Sequence, residues 1–179
     1  MMTASLNLGK VHVITGPGKG KTTAAFGLAL RAAGHGIKVC IVQFMKTGET
    51  TGEAISVKNV PGIELVQFGT GRFVDPKRVE PEDRECAGRA LARAREVVEG
   101  RRCGLLVLDE VNVATAFGLV GSDEVLDLLE TARDAGIETV LTGRNAPLEF
   151  IEYADYVSVT DSWKHPFDSE GGPRKGIEW

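Results

Sequence analysis

Short apolar runs alternate along this chain with stretches of helical periodicity. The runs are Val11–Thr15, residues 38–43, residues 64–68, Leu105–Asp109, Glu138–Thr142 and Tyr156–Val159. Several are apolar at consecutive positions, the pattern of strands covered on both faces. Between them, residues 22–33 are rich in alanine and leucine and stop at Gly34. Residues 82–99 repeat Ala87, Ala90, Leu91, Ala94, Val97 and Val98 at helical spacing, with Pro81 before them and Gly100 after. Ser122 is placed to cap a helix over residues 123–135 that buries Val125, Leu129 and Ala132 and ends at Gly136. A short helix follows over residues 147–153.

Strand followed by helix, repeated, predicts an α/β fold: a mostly parallel sheet of about five to six strands with helices on both faces. Ligands of such sheets sit at the carboxyl ends of the strands. Residues 45–60 and 69–79 fit no element, are rich in Gly, Thr, Glu or charge, and each follow a strand. They read as loops on the ligand side, where function concentrates. The expected organisation is a lead over residues 1–8, one α/β domain over residues 9–160, and a loop or arm over residues 161–179 that belongs to the same domain.

Composition narrows the class. Of 179 residues, 42% are apolar and 26% charged, enough for an ordinary core. A formal net charge of −4 argues against a nucleic-acid coat or an anionic-membrane binder. Cys40, Cys86 and Cys103 lack metal-ligand spacing and read as free thiols of a reducing compartment, with Cys40 in the core. The N-terminus has no export-signal pattern and no apolar run is long enough to span a bilayer, so the expected location is cytoplasmic.

The chemistry begins at T-G-P-G-K-G-K-T-T, residues 15–23. Gly20, Lys21 and Thr22 supply the closing half of a phosphate-binding loop, but its opening glycine comes one place late, at Gly16. Gly16, Gly18 and Gly20 let the backbone turn its N–H groups inward, and the helix that starts at Thr22 adds free N–H groups and a positive dipole end. Pro17 removes one donor. Lys21 supplies a mobile cation, read as exposed in the empty loop, and Thr22 a hydroxyl for Mg²⁺. L-L-V-L-D-E, residues 105–110, is an apolar strand ending in two acids. Such an end holds the magnesium or the attacking water of a phosphate-loop protein. Side chains alternate along a strand, so Asp109 and Glu110 need not share a role; Glu110 is favoured at the metal, with Asp109 close behind. Arg144, in T-G-R-N after another strand, is placed to grip phosphate oxygens. No Ser-His-Asp arrangement and no metal-ligand cluster is visible. His12 reads as a packed core histidine inside the first strand, His35 as exposed, and His165 as the one histidine on a plausible active-site loop. A reaction driven by positioning and charge neutralisation fits this inventory better than one driven by proton transfer.

Five segments together carry a resemblance: G-K-G-K-T-T-A-A-F-G (18–27), G-H-G-I-K-V-C-I-V-Q-F-M-K (34–46), V-L-D-E-V-N-V-A (107–114), T-G-R-N-A-P (142–147) and K-H-P-F-D with R-K-G-I-E-W (164–168, 174–179). In this order they resemble the P-loop-type ATP:corrinoid adenosyltransferases, from about residue 9 to the C-terminus. The resemblance implies a P-loop NTPase-like, RecA-like fold. It implies transfer of the 5′-deoxyadenosyl group of ATP to the Co(I) of a reduced corrinoid, with triphosphate leaving, and it implies Mg²⁺, a homodimer and a separate source of electrons such as a reductase. The nucleotide of this family lies in the loop with reversed polarity, which suits a loop shifted by one residue. Carried onto this chain, Gly16, Pro17, Gly18, Lys19, Gly20, Lys21, Thr22 and Thr23 hold the triphosphate, Thr22 and Glu110 the metal, and Lys46 and Glu53 the nucleotide. Residues 69–74 approach the corrinoid. Relatives often carry tryptophan beside the aromatic position there; this chain has Phe73-Val74, and Phe73 is the expected packing residue. Pro17 stands where asparagine is usual and Asn145 where glycine is usual. Two other readings fit the loop alone: a small kinase of a nucleoside-like alcohol, which releases ADP, and an ATP-dependent regulatory module, which shows no corrinoid dependence.

Overall fold

The computed structural model describes residues 7–48, 51–164 and 174–177. Six strands form one sheet: β1 (Val11–Thr15), β2 (Val39–Phe44), β3 (Ile63–Phe68), β4 (Leu105–Asp109), β5 (Glu138–Thr142) and β6 (Tyr156–Val159). Their order is β3-β2-β4-β5-β1-β6, and every neighbouring pair is parallel. The helices are α1 (Lys21–Gly34), α2 (Gly52–Val57), α3 (Pro81–Glu99), α4 (Val111–Ala116), α5 (Ser122–Asp134) and α6 (Leu148–Tyr153).

The consecutive apolar runs are explained by two cores, one on each face of the sheet. On one face Val39, Ile41, Leu105, Val107 and Val140 pack under Ala25, Phe26, Ala29 and Ala32 of α1. On the other, Cys40, Val42, Phe44, Leu106, Leu108 and Leu141 pack under α3, α5 and Phe150 of α6. Odd and even positions of β2 and β4 therefore both face apolar partners, so the strand alternation is invisible in the sequence. All three cysteines are buried and free. Strand β6 departs from this pattern: all four of its residues are exposed, because it is an edge strand paired only with β1.

Four expectations are corrected. The segment 45–60 is not wholly a loop, since α2 lies in it, and α4, directly after β4, had no sequence assignment at all. Both have only six residues, too few to display a period. Ser122 is the first residue of α5, not its cap; the helix begins one residue early, and the Glu124 carboxylate accepts the Gly121 N–H at 3.0 Å. His12 is not simply packed: its Nε2 lies 2.7 Å from Glu138 Oε1, and its ring stacks on Tyr156. Among the described residues no helix is long and apolar enough to cross a membrane.

Candidate functional site

Every predicted ligand residue that the structure brings together comes from a carboxyl end of the sheet. The loops after β1, β2, β4 and β5, with α2 and the segment after β3, enclose a cavity of about 1100 Å³. Gly18 to Thr23, Lys46, Glu53, Phe73, Glu110 and Arg144 all line it. Pockets for a single small molecule are usually about 300–1,000 Å³, so this cleft lies at the upper end of that range. The chain also returns to it: Gly176 and Ile177 stand on its wall, and Lys19 Nζ donates to the Ile177 carbonyl at 2.9 Å. His165 lies outside the described residues.

The shifted glycine now has a structural reason. Thr15 is still strand: its carbonyl accepts the Thr160 N–H at 2.8 Å, and its hydroxyl accepts the Ala146 N–H at 3.3 Å. The chain turns only at Gly16, with φ 104°, a conformation glycine adopts without penalty. A Cβ on Gly16 or on Gly18 would fall 2.3 Å from a backbone oxygen, of Thr160 and Asp161 respectively. The loop is thus seated on the end of β6. Gly18 does not turn its N–H inward as expected; that group is held by the Thr160 carbonyl at 2.9 Å. Gly16 and Pro17 stand outside the cavity lining, so the wall begins at Gly18.

Lys21 is buried rather than exposed, at 8%. Its ammonium donates to the Gly16 carbonyl at 2.7 Å and to the Gly18 carbonyl at 2.5 Å. The loop turns these two carbonyls toward the cation and holds it. Burial, and then the charge of Arg144, hold the Lys21 pKa below its ordinary value, with Glu110 opposing.

The two acids separate clearly. Asp109 is fully buried and receives four donors. Thr22 and Thr142 hydroxyls donate to Oδ1 at 2.9 and 2.6 Å; Gln43 and Lys46 donate to Oδ2 at 2.8 Å each. Burial opposes ionisation of Asp109, yet Lys46 and these hydrogen bonds hold its pKa below the usual carboxylate range. Burial likewise acts to lower Lys46, but Asp109, with Glu110 and Glu53, carries it above its ordinary value. The Glu110 carboxylate accepts no hydrogen bond among the described residues, and the residue lines the cavity. Its backbone is left-handed, φ 66° and ψ 14°, a conformation that costs a non-glycine residue roughly 1–2 kcal/mol. Burial and the charge of Asp109 raise its pKa above the usual range.

Whether Mg²⁺ suits this site is a question of donor chemistry. Among the described residues no cluster of three His, Cys, Asp or Glu side chains forms a metal cage. Mg²⁺ does not need one; it takes one or two protein oxygens and completes its shell with phosphate and water. Thr22 spends its proton on Asp109, which leaves oxygen lone pairs open, and the Glu110 carboxylate is unclaimed among the described residues. These hard oxygens fit the ion.

The cavity lining also has an apolar part: Phe26, Met45, Val74, Val113 and Phe117, with Phe73. Phe73 is 92% exposed while Val74 is 5% exposed and packs in the core, so Phe73 offers far more surface to a ligand. Sequence reading missed Thr142 and Gln43 as site residues. Gln43 carried a signal, a polar residue inside a fully buried run, since a buried amide requires partners. Thr142 carried none, because threonine ends many strands.

A family model described as ATP:corrinoid adenosyltransferase BtuR/CobO/CobP matches residues 7–179. A corrinoid adenosyltransferase from a Sinorhizobium species is 35% identical over 182 residues, covering 100% of this chain and 84% of the relative. One from Pseudomonas aeruginosa is 37% identical over 172 residues, covering 96% and 84%. One from Escherichia coli K12 is 34% identical over 171 residues, covering 96% and 86%. With the phosphate-binding loop, the acid pair and the arginine at one end of a parallel sheet, this full-length match means that the chain belongs to the ATP:corrinoid adenosyltransferase family.

Proposed function

We propose that the protein transfers the 5′-deoxyadenosyl group of ATP to the Co(I) of a reduced corrinoid and releases triphosphate. The observation that carries this reading is one cavity lined by two chemically different sets of residues. One set is the phosphate loop with Lys21 and Arg144; the other is apolar and includes the exposed ring of Phe73. The reaction joins two substrates of that description. The cobalt lone pair forms the Co–C5′ bond, the C5′–O bond breaks, and its electron pair leaves on the triphosphate. Co(I) is itself a strong nucleophile, so no base is required.

The task of the chain is then to hold the leaving group as its charge grows. Lys21 leaves the loop carbonyls for phosphate oxygens, and the N-terminus of α1 and Arg144 add to the same field. Thr22 and Glu110 hold Mg²⁺, which when bound supplies further charge neutralisation. Asp109 takes no ligand; saturated by four donors, it fixes Thr22 and Lys46. Lys46 and Glu53 flank the nucleotide, and Phe73 packs on the corrin. A separate reductase delivers the electron to cobalt in the cytoplasm. The working form is a homodimer, a reading supported by the exposed apolar residues Tyr156, Val157 and Val159 on edge strand β6. Residues 9–160 form the catalytic domain, and residues 161–179 belong to it, as the Lys19–Ile177 contact supports.

The test is anaerobic incubation with ATP, Mg²⁺ and chemically reduced cobalamin, followed by absorbance. The expected result is the spectrum of an alkylated cobalt product that appears only when all three are present. ATP turnover indifferent to the corrinoid would overturn the reading.

A further inference from the structure

We propose that Thr142 is a positioning residue, whose hydroxyl sets the Glu110 carboxylate in the cavity and couples it to the phosphate loop. Thr142 is fully buried at the end of β5. Its hydroxyl donates to Asp109 Oδ1 at 2.6 Å and accepts the Glu110 N–H at 3.0 Å. The direction of each bond is forced. A hydroxyl has one proton, and Asp109, surrounded by donors on both oxygens, offers only acceptors. With its proton on Asp109, Thr142 presents lone pairs to the next backbone N–H, that of Glu110.

That hydrogen bond catches Glu110 where the chain leaves β4 in a left-handed turn, φ 66°. Strained backbone persists only where its surroundings over-determine it. Here Thr142 holds the N–H, while the Glu110 carbonyl accepts the Ala114 N–H at 3.0 Å as α4 begins. The Glu110 side chain is thereby aimed into the cavity. Asp109 Oδ1 is shared by Thr142 and Thr22, so it links the Thr22 hydroxyl through Thr142 to the backbone N–H of Glu110. The turn after Thr142 is anchored too: Asn112 Nδ2 donates to the Gly143 carbonyl at 3.2 Å, and Arg144 follows.

The inference rests on the proposed site for its meaning, but its test does not require adenosyl transfer. Thr142→Val keeps the shape and removes both hydrogen bonds; Thr142→Ser keeps both. ATP binding is measured by calorimetry with EDTA and with Mg²⁺, alongside thermal melting. In the valine variant, metal-free ATP affinity is expected to stay within about threefold of the parent. The gain in affinity produced by Mg²⁺ is expected to shrink about tenfold or more, the loss typical when a ligand's outer partner is removed. The serine variant is expected to keep the parent's gain. An unchanged gain in the valine variant overturns the proposal, as does an equal loss with and without Mg²⁺, the mark of a merely structural role. If valine prevents folding, serine carries the test alone, and loss of the gain there overturns it. A parent protein that shows the Mg²⁺ effect but no cobalt alkylation contradicts the proposed function and leaves this assignment standing.

Discussion

Lys21 is where charge, burial and mechanism meet in a single side chain. Its ammonium is held by two loop carbonyls, and in the proposed mechanism it passes from them to the triphosphate. Lys21→Ala is expected to lower the rate of adenosyl transfer by roughly a hundredfold or more. Melting should report a stability loss of no more than about 2 kcal/mol. Near-parental turnover would remove the loop from the mechanism. Phe73 is the opposite case, a large ring 92% exposed that contributes little to folding. Phe73→Ala is expected to leave stability within about 0.5 kcal/mol and ATP affinity unchanged, while transfer to the corrinoid falls. Equal losses of ATP binding and transfer would assign it a structural role. At this scale, Lys21, Thr22, Glu110 and Arg144 were legible because their chemistry is tied to a motif and a strand end. The different fates of Asp109 and Glu110 were legible only in outline: alternation separates them, but the four donors on Asp109 come from β2, the loop after it, α1 and β5, far apart in sequence. The buried position of Lys21 was not legible, since it depends on carbonyl directions in a loop that Gly16 and Gly18 bend.

Elements long enough to show a period were readable, and of the three six-residue helices only α6 was anticipated. The long helices α1, α3 and α5 and all six strands follow from apolar spacing, with ends displaced by a residue or so. The six-residue helix α2 hides in a segment whose composition signals loop, and α4 had no assignment. What holds the phosphate loop in place is equally hidden, because the partner of Gly18 is the far end of β6. Gly18→Ala tests that contact. Its Cβ would meet Asp161 backbone oxygen at 2.3 Å, with no flexible side chain to yield. Overpacking of this kind costs about 1–3 kcal/mol, and ATP binding is expected to fall with it as the loop lifts from β6. Gly27→Ala is the control: nothing lies within 4 Å of that Cβ on α1, and the change is expected to stabilise by about 0.4–1 kcal/mol. Unaltered melting and ATP affinity in Gly18→Ala would show that the loop does not depend on β6.

Across the whole molecule, the two ends of the sheet do different work. The carboxyl end holds the cavity, and the amino end is tied by charge. Asp155 accepts the Val11 N–H at 2.9 Å and pairs with Lys10 and Arg133 at 3.1 and 2.8 Å. The Val11 N–H first, then Lys10 and Arg133, hold its pKa below the usual carboxylate range. A depressed native pKa gives stability that is fully present above the unfolded value and is lost as pH falls through the native one. Asp155→Asn is therefore expected to lower stability at neutral pH by about 1–2 kcal/mol. Its melting curve should converge on the parent's in acid, below the ordinary carboxylate pKa, with transfer activity unaffected. A difference independent of pH would assign the loss to packing. The alternating pattern announced the parallel sheet, but not which strands adjoin, because β1 reaches β2 across β5 and β4, and no local feature encodes that crossing. The account stands or falls on which atom of ATP is attacked. The direct measurement is phosphorus NMR and mass spectrometry on the products from ATP carrying ¹³C at C5′, incubated with demonstrably monovalent cobalt. The prediction is inorganic triphosphate together with a corrinoid bearing the label on cobalt; ADP or orthophosphate with an unlabelled corrinoid would contradict it.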